Sequence, residues 1–370
     1  MYRTIVALAV LVVLTTVPRV PHRDGAAVGD ERASAIARGA RLFATEFSPQ
    51  QGLGPLFNHP SCLGCHNTPS PGGTGPDGLG TVTRVGRLTP VGFDPMHGRG
   101  GPIARARSVS DPVYSCDLAP GIPAGANVTS VRNAPPLYGV GLIDAIPDEV
   151  IAAGAVLRGG VLGRPHRIRS ADGQERIGRF GWKADTVTLR QFVAEAFRNE
   201  LGITNPLAPV DLVGRSGPGR RCVGESEGVE DDGRLVDAVT AFLAALPAPA
   251  ASIASGHGQA LFARIGCDTC HTPSLPLGDR GVPLYSDLLL HDLGPDLDDK
   301  VVQGQARGRD WRTTPLWGLG RRSRLLHDGR ALSIGEAIRA HGGEAAPAMR
   351  DFYRLSPKDR DELLAFLADL

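Results

Sequence analysis

Apolar residues recur at helical spacing in six stretches of the chain, and this periodicity predicts six helices. In the first stretch, Ile36, Ala40 and Phe43 would lie on one helix face. The predicted helices cover residues 30–47, 185–201, 235–246, 255–265, about 334–341 and 357–370. Alternating patterns typical of strands are few, so we predict a mostly α protein.

Glycine and proline divide the chain into two regions. With 48 Gly and 30 Pro we expect long Gly/Pro-rich loops, above all in residues 68–127, which lack periodicity. A Pro-Ala-Pro sequence at residues 247–249 separates a front region, residues 31–246, from a rear region, residues 250–370. Both regions contain Gly-x-x-Leu-Phe in a predicted helix, which indicates an internal repeat.

The N-terminal residues have the pattern of an export signal. Arg3 precedes a largely apolar run at residues 5–17, which is too short to span a bilayer comfortably. We therefore predict a signal peptide over residues 1–25 and a periplasmic location. No Ala-x-Ala motif marks a cleavage site, and an uncleaved membrane anchor is the alternative.

Charge excludes one class of partner, and the cysteines introduce another kind of chemistry. The formal net charge is +1, so no strong field attracts nucleic acid.

Of six cysteines, Cys116 and Cys222 could pair in an oxidising compartment. Two unpaired buried thiols are the alternative, because the sequence does not fix the distance between their Cα atoms.

The other four cysteines belong to two Cys-x-x-Cys-His motifs, at residues 62–66 and 267–271. Two cysteines at this spacing can bond covalently to one porphyrin, and the adjacent histidine is then directed at its iron. Structural zinc would usually bring the two pairs closer together, and it would not account for the histidines. We predict two covalently bound c-type haems, attached through Cys62, Cys65, Cys267 and Cys270 and ligated by His66 and His271.

Several longer phrases carry a family resemblance. They read RNAPPLYG from residue 132, GRFGWKA from 178, ELGIT from 200, YSDLLLHDLG from 285, WRTTPLWG from 311 and HDGR from 327. With the haem motifs, they resemble the di-haem oxidoreductase family, also called thiol oxidoreductases, over residues 33–370. The chain is more distantly similar to bacterial di-haem cytochrome c peroxidases. The resemblance implies two cytochrome c-like haem domains in tandem, one haem reacting with peroxide and the other receiving electrons.

The resemblance also implies a second iron ligand at the rear haem. Where the peroxidases have a methionine, this chain has His341, so the implied ligand pair is His271 and His341. Imidazole in place of a thioether lowers the reduction potential of the iron. Met349 is the alternative ligand, in which case His341 would be a surface residue at a helix end.

At the front haem the chain departs from the peroxidases. Some of them cap this iron with a histidine, and the corresponding position here is Gly125. The resemblance therefore implies an iron with an open face, unless Met96 or His97 from the long loop binds it.

An open iron needs a polar group that moves protons. Glu200 matches the glutamate of the peroxidases and is our catalytic candidate; a solvated carboxylate at a helix end is the alternative. The companion glutamine of the family is displaced, since Phe192 stands near its position and Gln191 lies one residue earlier.

Two further features follow from the resemblance. Trp182 matches a tryptophan between the haems, where an indole could couple the irons; packing against haem edges is the alternative. A calcium site is implied at Asn133, Thr313 and Pro315. Local packing or hydrogen bonds are expected for His59 and His257, and hydrogen bonds to haem propionates or to backbone for His291 and His327, which lie in the family phrases. A solvated loop is expected for Asp296, Asp298 and Asp299.

These expectations favour an oxidoreductase over two other classes. Electrons would come from a small redox protein or a quinol-linked donor, and peroxide or another small oxidant would be reduced at the front haem. A pure electron carrier with two closed haems is the main alternative, and a haem-containing sensor or assembly factor is a third. A homodimer is compatible with the sequence.

Overall fold

The structure is a computed structural model that describes residues 25–76, 80–109, 119–170, 173–212, 228–250 and 256–370. The predicted signal peptide, apart from its last residue, and both Cys116 and Cys222 lie outside these ranges. Among the described residues, no helix is long and apolar enough to cross a membrane.

Among the described residues, helices form in all six stretches where the apolar periodicity predicts them, with three additions. They are α1 Gly25–Ala44, α2 Val140–Ala145, α3 Asp148–Ala153, α4 Leu189–Ala196, α5 Arg234–Ala245, α6 Gly256–Arg264, α7 Ile334–Arg339, α8 Ala346–Arg354 and α9 Pro357–Asp369. The periodicity did not predict α2, α3 or α8. The stretch at residues 185–201 is helical only from Leu189, and its last five residues, Phe197–Leu201, form a π-helical turn.

The expectation of a loop over residues 68–127 is wrong for residues 81–94 and 103–108, where four short or medium strands form. Strand β2 (Thr81–Thr89) pairs antiparallel with β3 (Gly92–Asp94), β4 (Ile103–Ala104) and β6 (Val128–Asn133). The β-branched residues at 81–85 favour a strand, and Val85 is fully buried. The remaining strands occur as short antiparallel pairs: β1 Leu56–Phe57 with β5 Arg107–Ser108, β7 Arg167–Arg169 with β8 Glu175–Ile177, β9 Leu275–Leu277 with β10 Arg280–Val282, and β11 Leu290–Asp292 with β12 Asp310–Arg312.

Two hydrophobic clusters form the core. In the front cluster α1 packs on α5, with Phe43, Val239 and Leu243 buried between them and α4. In the rear cluster α6 packs on α9 through Leu261, Phe262 and Phe366. The front cluster also includes Leu284 and Leu288, so the core does not divide at residues 247–249.

The contact between α1 and α5 depends on a glycine. A Cβ atom on Gly39 would lie 1.9 Å from the Ala238 carbonyl oxygen and 2.7 Å from the Cβ of Phe242. Only a residue without a side chain lets the two backbones approach this closely. Since the haem motif at residues 62–66 follows α1, this packing also sets the position of the motif.

We expect Gly39→Ala to lower the free energy of unfolding by about 1–3 kcal/mol, because the added methyl group forces α1 away from α5. Gly29→Ala in the same helix is the matched control, since no atom lies within 4 Å of its added Cβ. The control should be neutral or gain up to about 1 kcal/mol from helix propensity. Thermal unfolding of both variants measures the difference, and equal melting temperatures would contradict the packing argument.

Candidate haem sites

Each Cys-x-x-Cys-His motif opens onto its own cavity. A front cavity of about 200 Å³ is lined by Cys62, Cys65 and His66. A rear cavity of about 380 Å³ is lined by Cys267, Cys270 and His271. In both motifs the cysteines lie on a short 3₁₀ turn after a helix of the core, and neither cysteine pair is joined by a disulfide.

Three histidines are prepared in the same way to bind iron. Nδ1 of His66 donates to the Gly73 carbonyl at 3.0 Å, Nδ1 of His271 to the Tyr285 carbonyl at 2.9 Å, and Nδ1 of His341 to the Ala337 carbonyl at 2.6 Å. A carbonyl group only accepts, so Nδ1 carries the proton in each ring and Nε2 keeps the lone pair that binds a metal. Burial lowers the pKa of all three, that of His271 to about 4, which favours the neutral ligand form.

His341 lines the rear cavity together with His271, and its proximity contributes to lowering the pKa of His271. This placement differs from that of a surface residue at a helix end. Met349, the alternative ligand, lines the same cavity. The structure therefore brings both candidates to the rear cavity, but only His341 has the Nδ1 hydrogen bond that the two motif histidines share.

Unpartnered buried groups indicate what both cavities can hold. Nε and Nη1 of Arg132 in the front cavity are buried without a hydrogen-bond partner, and so is Nε of Arg322 in the rear cavity. The carboxylates of a porphyrin would satisfy such guanidinium groups. Burial raises the pKa of Cys62 and Cys267 to about 12, so both thiols hold their protons in the metal-free protein. The residues present therefore fit haem.

Glu200 projects into the front cavity from the π-helical turn. Its carboxyl oxygen Oε2 accepts a hydrogen bond from Nδ2 of Asn58 at 2.7 Å. Burial raises the pKa of Glu200, although Asn58 and the charges of Arg105 and Arg84 oppose this effect. A carboxyl group that keeps its proton to higher pH can act as a proton donor.

The other candidates for the front iron lie elsewhere. Among the described residues that line the front cavity, the histidines are His66 and His59, and there is no methionine. His59 packs against Gly64 of the haem motif, and its Nδ1 lies 3.0 Å from the Ser61 carbonyl oxygen and 3.1 Å from the Ser61 amide nitrogen. Met96 and His97 do not line the cavity, and Gly125 lies on an exposed turn.

Trp182 lies between the cavities and lines both of them. Its Nε1 donates to the Asn133 carbonyl at 2.9 Å, and Asn133, Ala134 and Pro135 also line both cavities.

Gln191 lines neither cavity; its side-chain amide donates to Glu195. Phe192 lines the front cavity.

The contacts at residues 313–322 do not fit the implied calcium ion. Arg322 donates through Nη2 to the Pro315 carbonyl at 2.8 Å, and the Ser286 hydroxyl donates to the Thr313 carbonyl at 2.6 Å. The side-chain amide of Asn133 points its nitrogen at the Arg324 carbonyl. A guanidinium cation thus holds one of the carbonyl groups that the resemblance assigned to calcium, and it would repel a dication there.

Sequence reasoning missed a buried charged cluster beside the rear cavity. The Asp299 side chain, expected in a solvated loop, is 4% exposed and pairs with Arg132 and with Lys183, whose Nζ lies 3.4 Å away. Trp311 stacks on His327 at a ring distance of 3.7 Å, with Arg132 and Lys183 over its ring. No local pattern distinguishes Asp299 from its exposed neighbour Asp296, so no sequence signal could have found this cluster.

Two other histidines bond to carboxylates. His291 Nε2 bonds to Asp287 at 2.9 Å and its Nδ1 to Glu344 at 2.8 Å. Burial lowers the pKa of His291, but the bonds to Asp287, Cys270 and Glu344 outweigh it and raise the pKa to about 12. On the surface, His257 pairs with Asp359 at 2.9 Å. His291 thus bonds to carboxylates and the Cys270 sulfur rather than to backbone.

Two cavities, each with a cysteine pair and a prepared histidine, define a protein built to hold two haems. The family described as "di-haem oxidoreductase, putative peroxidase" matches residues 126–370. The chain belongs to this di-haem oxidoreductase family.

Comparison with solved structures gives distant likenesses. A di-haem peroxidase from Burkholderia thailandensis is 17% identical, with a TM-score of 0.42, over 91% of this chain and 86% of that chain. A MauG-like protein associated with microbial copper homeostasis is 16% identical, with a TM-score of 0.42, over 95% and 91%. Hydrazine synthase of Kuenenia stuttgartiensis is 12% identical, with a TM-score of 0.39, over 99% and 100%. No curated protein matches the chain.

Replacing His341 by alanine should remove one axial ligand of the rear haem. We expect this haem to change from low-spin to high-spin in absorption and electron paramagnetic resonance spectra of the ferric protein. Met349→Leu is the control and should leave both spectra unchanged. A low-spin rear haem in His341→Ala, together with a high-spin one in Met349→Leu, would assign the ligand to Met349 instead.

Proposed function

We propose that this protein is an exported di-haem c-type oxidoreductase that reduces peroxide, or another small oxidant, in the front cavity. Electrons enter at the rear haem from a small redox protein or a quinol-linked donor and pass by Trp182. The observation that carries the proposal is that Glu200, whose pKa burial raises, lies in the same cavity as His66, where the described lining offers no methionine and only His59 as another histidine. The apolar run at residues 5–17 supports export.

Haem would supply the redox chemistry at both sites; His66 would hold it in front, and His271 and His341 would hold it at the rear. Reduction of hydrogen peroxide to two waters takes two electrons and two protons. Asn58 donates to Oε2 of Glu200, which leaves Oε1 to carry a proton into the cavity. The guanidinium of Arg84 faces the same cavity and would stabilise negative charge that develops on the departing oxygen.

Trp182 is the better placed of the two nearby indoles to carry an electron between the cavities. The Trp311 ring has the Arg132 guanidinium at 4.4 Å and the Lys183 ammonium at 3.9 Å from its centre. Positive charge over the ring opposes removal of an electron. Trp182 instead donates its indole N–H to a carbonyl group and lines both cavities.

Ligand-binding spectroscopy on the purified holoprotein tests the proposal. We expect the oxidised or half-reduced protein to show a high-spin ferric band that cyanide or peroxide shifts, because the front iron has an open face. The rear haem should stay low-spin throughout. Two low-spin haems that respond to neither ligand would contradict the proposal and favour an electron carrier.

Glu200→Gln keeps the shape of the side chain and the Asn58 contact but removes the proton. We expect peroxide reduction to fall about 10²–10⁴-fold. In the unmodified protein the rate of peroxide reduction should fall as the pH rises through the raised pKa of Glu200, because the protonated form is the donor. The rate of the Glu200→Gln variant should not show this fall at alkaline pH. Glu149→Gln on the surface of α3 is the control. A variant rate within twofold of the control would show that Glu200 is not the donor.

A further inference from the structure

The front cavity contains a second carboxyl group that the sequence did not single out. Glu195 on α4 lines this cavity together with Glu200. Its Oε1 accepts from the Gln191 side-chain amide at 3.1 Å, and its Oε2 bonds to the Thr186 hydroxyl at 3.1 Å. Both oxygens of Glu195 are therefore fixed, and Gln191 acts on the cavity only through this carboxyl group.

The π-helical turn explains why both glutamates reach one cavity. In a regular α-helix, residues five positions apart point about 140° away from each other. The helix here continues from α4 into Phe197–Leu201, where the Gly202 amide bonds to the Phe197 carbonyl, five residues earlier. This wider turn rotates Glu200 back towards the side of Glu195, and such turns are common at functional sites.

The surroundings of Glu195 favour its protonated form. Burial raises the pKa of Glu195, and the nearby Asp185 carboxylate raises it further. The bonds from Gln191 and Thr186 and the charge of Arg198 oppose this. Asp185 is itself bound by Gln303 and lies 3.7 Å from Arg84, and both of these residues line the cavity.

We propose that Glu195 supplies the second proton in the front cavity. This inference rests on the proposed function, in which each peroxide takes two electrons from the haems and two protons. Glu200 gives the first proton as the O–O bond breaks. The O–H bond of Glu195 then breaks and its proton passes, through water in the cavity, to the remaining oxygen, so that two waters leave. Solvent reprotonates both carboxylates, and Gln191 and Thr186 are positioning residues.

The test compares Glu195→Gln with Glu200→Gln in the holoprotein. We expect Glu195→Gln to reduce peroxide turnover about tenfold to a hundredfold while cyanide still binds the front haem with unchanged affinity. Infrared difference spectra between oxidised and reduced protein give a readout independent of turnover. They should contain two carboxylic-acid bands, one lost in each variant. Gln191→Leu should shift the Glu195 band without removing it.

The outcomes separate this inference from the proposed function. If the unmodified protein neither binds cyanide nor reduces peroxide, the proposed function itself fails. If it does both, but Glu195→Gln keeps full turnover and both acid bands, the inference about Glu195 is overturned and the proposed function stands. Thr186→Val removes the hydroxyl beside Oε2 without touching Glu195. It should also lower turnover and shift the same band, so the test does not depend on the folding of one variant.

Discussion

The arrangement of both cavities depends on one buried carboxylate, Asp299. It binds Arg132, which lies at the end of β6, and Lys183, which follows Trp182. Burial lowers the pKa of Arg132 to about 10 and that of Lys183 to about 8, and Asp299 opposes both shifts. Removing one partner of a buried ion pair leaves an uncompensated charge and costs about 3–5 kcal/mol. Asp299 therefore fixes the strand and the turn that form the wall between the cavities.

The two cavities share one design on the side of the haem motif and differ on the opposite side. In both, the motif histidine donates Nδ1 to a backbone carbonyl. In the rear cavity a second histidine, His341, makes the same kind of bond. Carboxyl groups line both cavities, Glu344 at the rear and Glu195 and Glu200 in front, and burial raises the pKa of the two in front. A site with two prepared imidazoles suits electron transfer. A site whose carboxyl groups have a raised pKa suits a reaction that consumes protons.

Local patterns in the sequence predicted the motifs and most helices, because thioether spacing and apolar periodicity depend on neighbouring residues. They failed where pairing is long-range: β2 joins strands as far away as Val128–Asn133, and its turns are hidden among Gly and Pro. That pairing puts Arg84 and Arg132 on one face of the sheet, towards the front cavity. Glu195 was missed for a different reason. Regular helical periodicity puts it on another side from Glu200, and only the π-helical turn brings the two together.

The π-helical turn is itself held by the segment that leads to the front haem motif. The Gly54 amide bonds to the Leu201 carbonyl at 2.9 Å, and the Asn58 amide to the Glu200 carbonyl at 2.7 Å. A Cβ atom on Gly54 would lie 2.8 Å from the Cα of Gly202, so the backbones pack directly on each other. Asn58 also donates through its side chain to the Glu200 carboxyl group. Residues 54–58 thus connect Glu200 to the front Cys-x-x-Cys-His motif through main-chain bonds. The position of Glu200 relative to the Cys-x-x-Cys-His motif is therefore set by the fold rather than by a mobile loop, as a preorganised site requires.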